Sequence, residues 1–356
     1  MLLSCKLMVV RRDMVLIVVF LILIMVFMFF NDNPNYLKFA RLLSIYSPVF
    51  LFSYGYFKNI KNLESSIFIA LCGCLVSLFV SIVFHEIDFY LVEPPQKLWL
   101  DGVAVNRAGG IGGNTGMYSS IIAISLLLSV YLYSIGKIKV TFLLISISLC
   151  LYSIAIVSSR VGLLSSLIGI VLYLIISRAI GLKLIFYSFF LFLMLTPLVG
   201  YLFSSSDYFS KSIGRFDYSG SDLNSFSSGR VDNWLNIIDV IMKNPLLGVG
   251  YKNGTDYVGT FVDNSFLLVL VEEGVFGFLV FLSIFSIWIR NLLLVNTDKY
   301  YKEKALGLSL ILVFIILNIF SDAYTFWLTT PILYAVVSMI LTFLVRDKYE
   351  NSSYNK

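Results

Sequence analysis

Few residues in this chain can do chemistry, because charge is scarce and most of it is arginine or carboxylate. Arg160 stands in "SSRVGLLSS", Arg230 in "SGRVDNW" and Arg107 in "NRAGGIGGNTGMYSS". Arg215 lies between the first two. A guanidinium fork matches phosphate oxygens bidentately, so such arginines suit an anionic, phosphate-bearing ligand. The carboxylates gather in "FVDNSFLLVLVEEGVFGFLV", as Asp263, Glu272 and Glu273. Asp263, at the start of that apolar run, can reach an acceptor hydroxyl and take its proton. It can equally cap the helix that follows. Glu272 and Glu273 fall two turns further in, where a charge is costly in lipid, so at least one should face a cavity or an arginine.

Each arginine has a second reading. Arg160 sits between two apolar runs, where it either faces a polar cavity or partner, or extends its charge to the interface. Arg230 precedes Val231, Trp234, Leu235, Ile238, Ile241 and Met242, which recur at helical spacing opposite a polar face. Ser227 or Ser228 can cap that helix, and Pro245 ends it. In its first turn Arg230 lies beside unpaired N–H groups, a ready anion site; otherwise it pairs with Asp232 or a lipid phosphate. Arg107 leads into glycines that either approach a phosphate or form a loop with a capped helix start. That stretch fits neither the P-loop nor the dinucleotide pattern. There is one histidine, His85, and the four cysteines avoid the long polar loops. We therefore expect no metal site, no cofactor and no nucleic-acid partner.

The elements that must position these groups are set by composition. The 356 residues are 59% hydrophobic and 13% charged, with a mean hydropathy of +0.90. Soluble domains carry about 25% charged residues. Apolar runs long enough to cross a bilayer recur throughout, so the chain reads as an all-α polytopic membrane protein with about ten spans. They fall at 14–30, 39–57, 66–84, 116–135, 140–157, 162–177, 183–203, 264–289, 305–321 and 325–345. With the N-terminus in the cytoplasm, most basic residues lie in short inner loops and tails, and most acidic ones lie outside. Both termini are then cytoplasmic. Two outer loops are long, from about His85 to Thr115 and from Ser204 to Asp263. The second holds the amphipathic helix. No repeat or linker divides residues 1–356, which read as one membrane-embedded domain. Three arginines and several carboxylates then meet at the outer face, suiting a membrane-bound anionic substrate such as a pyrophosphate.

The order "SSRVGLLS", "SGRVDNW", "KNPLLGVGY", "DNSFLLVLVEEGVFG" resembles the O-antigen ligase and polymerase superfamily of bacterial inner membranes. "NRAGGIGGNTG" is similar to an earlier region of that family, and the likeness covers roughly residues 100 to 290. It implies a GT-C-like helical fold and metal-independent transfer of saccharide from undecaprenyl pyrophosphate at the periplasmic face. By the same resemblance Arg160 and Arg230 hold the pyrophosphate, with Arg107 and Arg215 as further candidates. Asn264, Glu273 and Trp234 join the substrate-binding candidates. Family ligases usually carry a histidine before the asparagine of "DNSFL"; here Asp263 precedes Asn264, which tilts the reading toward a polymerase. The expected reaction is an inverting attack by a sugar hydroxyl, with Asp263 as proton acceptor. Its partners are a lipid-linked glycan donor and acceptor, membrane lipid, and a possible chain-length regulator protein. The alternatives are a ligase passing finished glycan to lipid A-core and, from another class, a lipid-linked saccharide flippase.

Overall fold

In the computed structural model the described residues are 15–26, 36–53, 60–87, 89, 97–100, 103–106, 108–111, 113–157, 159–178, 230–251, 253–294, 298–326 and 328–354. The helices among them are α1 (Val15–Val26), α2 (Tyr36–Ser53), α3 (Ile60–Glu86), α4 (Thr115–Ser134), α5 (Val140–Val157) and α6 (Arg160–Ile176). They continue with α7 (Arg230–Lys243), α8 (Gly254–Val258), α9 (Ser265–Leu294), α10 (Tyr301–Phe320) and α11 (Thr329–Tyr354). Nine of the ten expected spans coincide with one of these helices. The remaining span, 183–203, lies outside the described residues. Five of the helices are long and apolar enough to cross a membrane, and three shorter apolar ones accompany them. The chain is a multi-pass helical membrane protein. To the expected helices the structure adds a hairpin within the first long loop, in which β1 (Lys97–Leu100) pairs antiparallel with β2 (Val103–Asn106).

The chain divides into two compact units. One comprises residues Glu64–Gly220 and Tyr301–Phe314. Its central element is α4, buried on all sides along most of its length. A helix that is apolar all round belongs in such a place. The serines of α4 remain compatible with burial because Ser119, Ser120, Ser125 and Ser129 each give their hydroxyl to the carbonyl four residues back. Gly162 and Gly169 lie two turns apart on α6. A Cβ at Gly162 would stand 2.9 Å from Ser119 Cβ, and one at Gly169 would overlap Val313. These two small residues let the neighbouring helices approach closely.

The other unit comprises Met1–Leu63, Ser221–Tyr300 and Ile315–Lys356. Helix α2 packs along α11. Between them and α9 runs an aromatic core in which Phe20, Tyr46, Phe281, Phe285, Trp288 and Tyr334 meet edge to face or tilted. Those ring geometries add about 0.5–1.5 kcal/mol per pair beyond the area buried.

Candidate functional site

Helix α7 begins at Arg230, as the apolar periodicity predicts, and ends at Lys243 just before Asn244 and Pro245. The serines expected to cap it lie outside the described residues. Among the described side chains of this helix only Ile237 is fully buried, whereas Leu235, Ile238 and Met242 are exposed. Trp234 and Ile241, on the expected apolar edge, are half-buried.

Arg230 pairs with Asp263, its Nε–H donating to Asp263 Oδ2. Of the partners weighed from the sequence, the side chain of Asp232 lies outside the described residues. The pair is half-buried, with side-chain exposures of 27% and 23%. The alternative reading of Asp263 as a helix cap is also corrected. Asn264 caps α9, its Oδ1 accepting from Phe266 N at 2.9 Å and Leu267 N at 3.0 Å. That division of labour leaves the Asp263 carboxylate free for Arg230. Asp263 Oδ1 is buried and has no hydrogen-bond partner among the described residues. The same holds for Nε1 of Trp234, one turn from Arg230 on the same side of α7. Among the described residues, one open acceptor, one open donor and a half-buried guanidinium make up the arrangement.

Two adjacent carboxylates follow on α9. Glu272 is held by protein groups, its Oε1 accepting from Gly254 N at 3.3 Å and its Oε2 from the Tyr324 hydroxyl at 3.2 Å. Burial, and then the neighbouring Glu272 and Glu273 carboxylates, hold the Tyr324 hydroxyl well above its ordinary range, so it stays protonated and can donate. Glu273 is fully buried beside Gly277. At about 1.5 Å per residue it stands roughly 15 Å along the chain axis from Asp263.

A feature not anticipated from the sequence lies at this point. Helix α9 breaks at Gly274, whose φ of 64° and ψ of −166° are not helical. In an unbroken helix Val271 O would accept from Val275 N and Glu272 O from Phe276 N. Here the loop "NPLLGVG" takes over. Val249 N donates to Val271 O at 2.7 Å, Gly250 N donates to Glu272 O at 2.9 Å, and Val275 N donates to Pro245 O at 2.9 Å. Backbone groups freed inside a membrane protein must find partners within it, and the loop supplies them. The fit admits no side chain at two places. A Cβ at Gly248 would lie 2.5 Å from Glu272 C and O, and one at Gly274 would overlap the Leu246 carbonyl. The sequence did carry a signal, an in-span glycine beside two glutamates and a proline-glycine loop upstream.

Arg160 is the first residue of α6, in the unit built on α4. Ser159 caps that helix by accepting from Gly162 N at 3.1 Å. Arg107 and Arg215 lie outside the described residues, while part of the glycine turn after Arg107 is described. Ala108 N donates to Ile156 O, Gly110 and Gly113 have φ of 66° and 69°, and Asn114 Oδ1 accepts from Gly116 N and Met117 N. Asn114 thus caps the start of α4. Among the described residues no cluster of His, Cys, Asp or Glu is placed to hold a metal.

Of the expected constellation, then, the structure brings together Arg230, Asp263 and Asn264, with Trp234 a turn along α7. Against known families, residues 145–282 match the profile of the O-Antigen ligase family. The match spans residues 145–282 and leaves the rest of the chain uncovered. The resemblance read from the motifs is thereby borne out. The matched stretch carries Arg160, Arg230, Asp263 and the broken part of α9. Among solved structures, a chain of a peptidoglycan synthase complex, studied for the coordination of polymerization and crosslinking, is similar over 96% of this chain and 98% of its own. The TM-score is 0.50 and the identity 11%. At that identity the likeness is one of fold, and it agrees with the GT-C-like arrangement. No curated protein matches the chain.

Proposed function

We propose that this O-antigen ligase-family chain is a polysaccharide polymerase. It joins undecaprenyl-pyrophosphate-linked repeat units at the periplasmic face of the bacterial inner membrane, without a metal. The observation that carries the reading is the Arg230–Asp263 pair with its unused valences. Arg230 spends its Nε–H on Asp263 and keeps the outer edge of its fork for phosphate oxygens. Asp263 keeps Oδ1 for a hydroxyl. A sugar hydroxyl of the incoming unit attacks the anomeric carbon of the growing chain. The hydroxyl proton passes to Asp263 as the new C–O bond forms, and the bond to the lipid pyrophosphate breaks. Arg230 stabilises the charge on the leaving pyrophosphate, and the family resemblance gives Arg160 the same role. The ring of Trp234 offers a face for a sugar and an N–H for one of its hydroxyls.

The test is genetic and direct. Arg160→Ala, Arg230→Ala and Asp263→Ala should each abolish long-chain polysaccharide at normal protein level. Chain-length ladders unchanged in all three would sink the assignment. The second reading, a ligase, is favoured by the description of the matched family. A deletion strain separates the two, because loss of a polymerase leaves single repeats on the core and loss of a ligase leaves none. Reconstitution with a defined lipid-linked repeat unit, scored for polymer, separates both from a flippase.

A further inference from the structure

We propose that the end of the unit where α4 finishes and α5 begins holds an anionic phospholipid by its headgroup. A cavity of about 760 Å3 opens there, walled by Val130, Ile138, Val140 and Leu174 and edged by Lys139 and Lys302. Lys302 Nζ donates to Ser134 O at 2.6 Å, in the last turn of α4, and retains two further N–H groups for a ligand. Lys139 is exposed immediately before α5. Among the described residues neither ammonium is within ion-pair distance of a carboxylate, unlike the nearby Lys137, which pairs with Glu64 at 3.8 Å. Val140 and Thr141, which also line the cavity, open the 18-residue helix α5, whose first N–H groups add positive potential.

The height of the cavity selects the ligand class. It lies at the ends of α4 and α5, both long enough to span, which is the level of lipid headgroups. Beyond it the outer side of α5 is apolar and uncovered, with Val140 50%, Leu144 57% and Ile145 65% exposed. A ligand with an anionic phosphate at one end and an acyl chain at the other meets both features. Charge counting assigns this end to the cytoplasmic face, where basic pockets between helices take acidic headgroups. The site is independent of the glycosyl-transfer reading, whose substrates act at the opposite face.

The test uses the full chain and two lipids, phosphatidylglycerol and phosphatidylcholine, with retained lipid counted by native mass spectrometry. Phosphatidylglycerol should be retained preferentially. Lys139→Gln and Lys302→Gln should each weaken that retention about fivefold. Lys137→Gln should not, since its charge is already paired. Val140→Trp should block the cavity without removing a charge. Should Lys302→Gln fail to fold for want of its bond to Ser134, Lys139→Gln and Val140→Trp decide. Equal retention of the two lipids, or retention indifferent to Lys139→Gln and Val140→Trp, overturns the proposal. So does displacement by inorganic phosphate with Val140→Trp unimpaired, which would mean a bare anion site.

Discussion

Arg230 joins two segments that no local rule connects, the first turn of α7 and the residue before the cap of α9. On the proposed function Asp263 is the proton acceptor and Arg230 the phosphate contact. Asp263→Asn keeps the volume and removes the charge and the proton acceptor. Turnover of a lipid-linked repeat should fall by about 10²–10⁴ with KM little changed. A fall confined to KM would show Asp263 to be a binding residue instead. Arg230→Lys should rescue Arg230→Ala poorly, since an ammonium lacks the planar fork. Equal activity of Arg230→Lys and the wild type would remove the case for bidentate contact. Position and helical phase of Arg230 were legible in the sequence because capping and periodicity are local. The identity of its partner was not, because Asp232 is nearer in sequence and only the folded chain brings Asp263 in.

At the scale of the element, the broken α9 and the loop "NPLLGVG" are one device. The helix gives up its own hydrogen bonds around Gly274, and the loop returns three from Pro245, Val249 and Gly250. Gly274→Ala and Gly248→Ala each demand both a positive φ and space that backbone occupies, so each should cost at least about 2 kcal/mol. Gly259→Ala demands only the positive φ, in open space, and should cost about 1–2 kcal/mol. Gly73→Ala, inside α3 with nothing near its Cβ, should be neutral or stabilising by up to about 1 kcal/mol. Thermal melting of the four variants in detergent gives the ranking, and a Gly274→Ala variant as stable as Gly73→Ala would refute the account of the break. Asn264→Ala should lose about 1 kcal/mol through its two cap bonds. The periodicity of α9 reads as one uninterrupted span because the residues on either side of Gly274 are equally apolar. The bond exchange that divides it depends on a loop some 25 residues upstream in sequence, outside any local window.

For the whole molecule the bilayer is the solvent that matters. Its cost for exposed backbone is why nearly every apolar run of the sequence is a helix. Its charge asymmetry supplies the orientation, a property of the lipid boundary that atomic contacts within the protein do not report. A cysteine placed at Asp256 should therefore react with a membrane-impermeant maleimide added from the periplasmic side, and one placed at Lys137 should not. The reverse labelling pattern would invert the topology and move the Arg230–Asp263 pair to the cytoplasm.

Length, hydropathy and charge placement determined by themselves that this chain is a helical membrane protein, where nine of its helices lie, and that Arg230 opens an amphipathic helix. These follow from transfer energies and from periodicities shorter than a few turns, which a linear sequence displays. Tertiary structure alone decided that Arg230 meets Asp263, that Asn264 takes the capping role, and that Glu272 is occupied by Gly254 and Tyr324. It also decided that α9 is cut by a loop. Each of these depends on two segments meeting at hydrogen-bonding distance. The energy of such a contact is a property of their separation in space, which sequence separation does not encode.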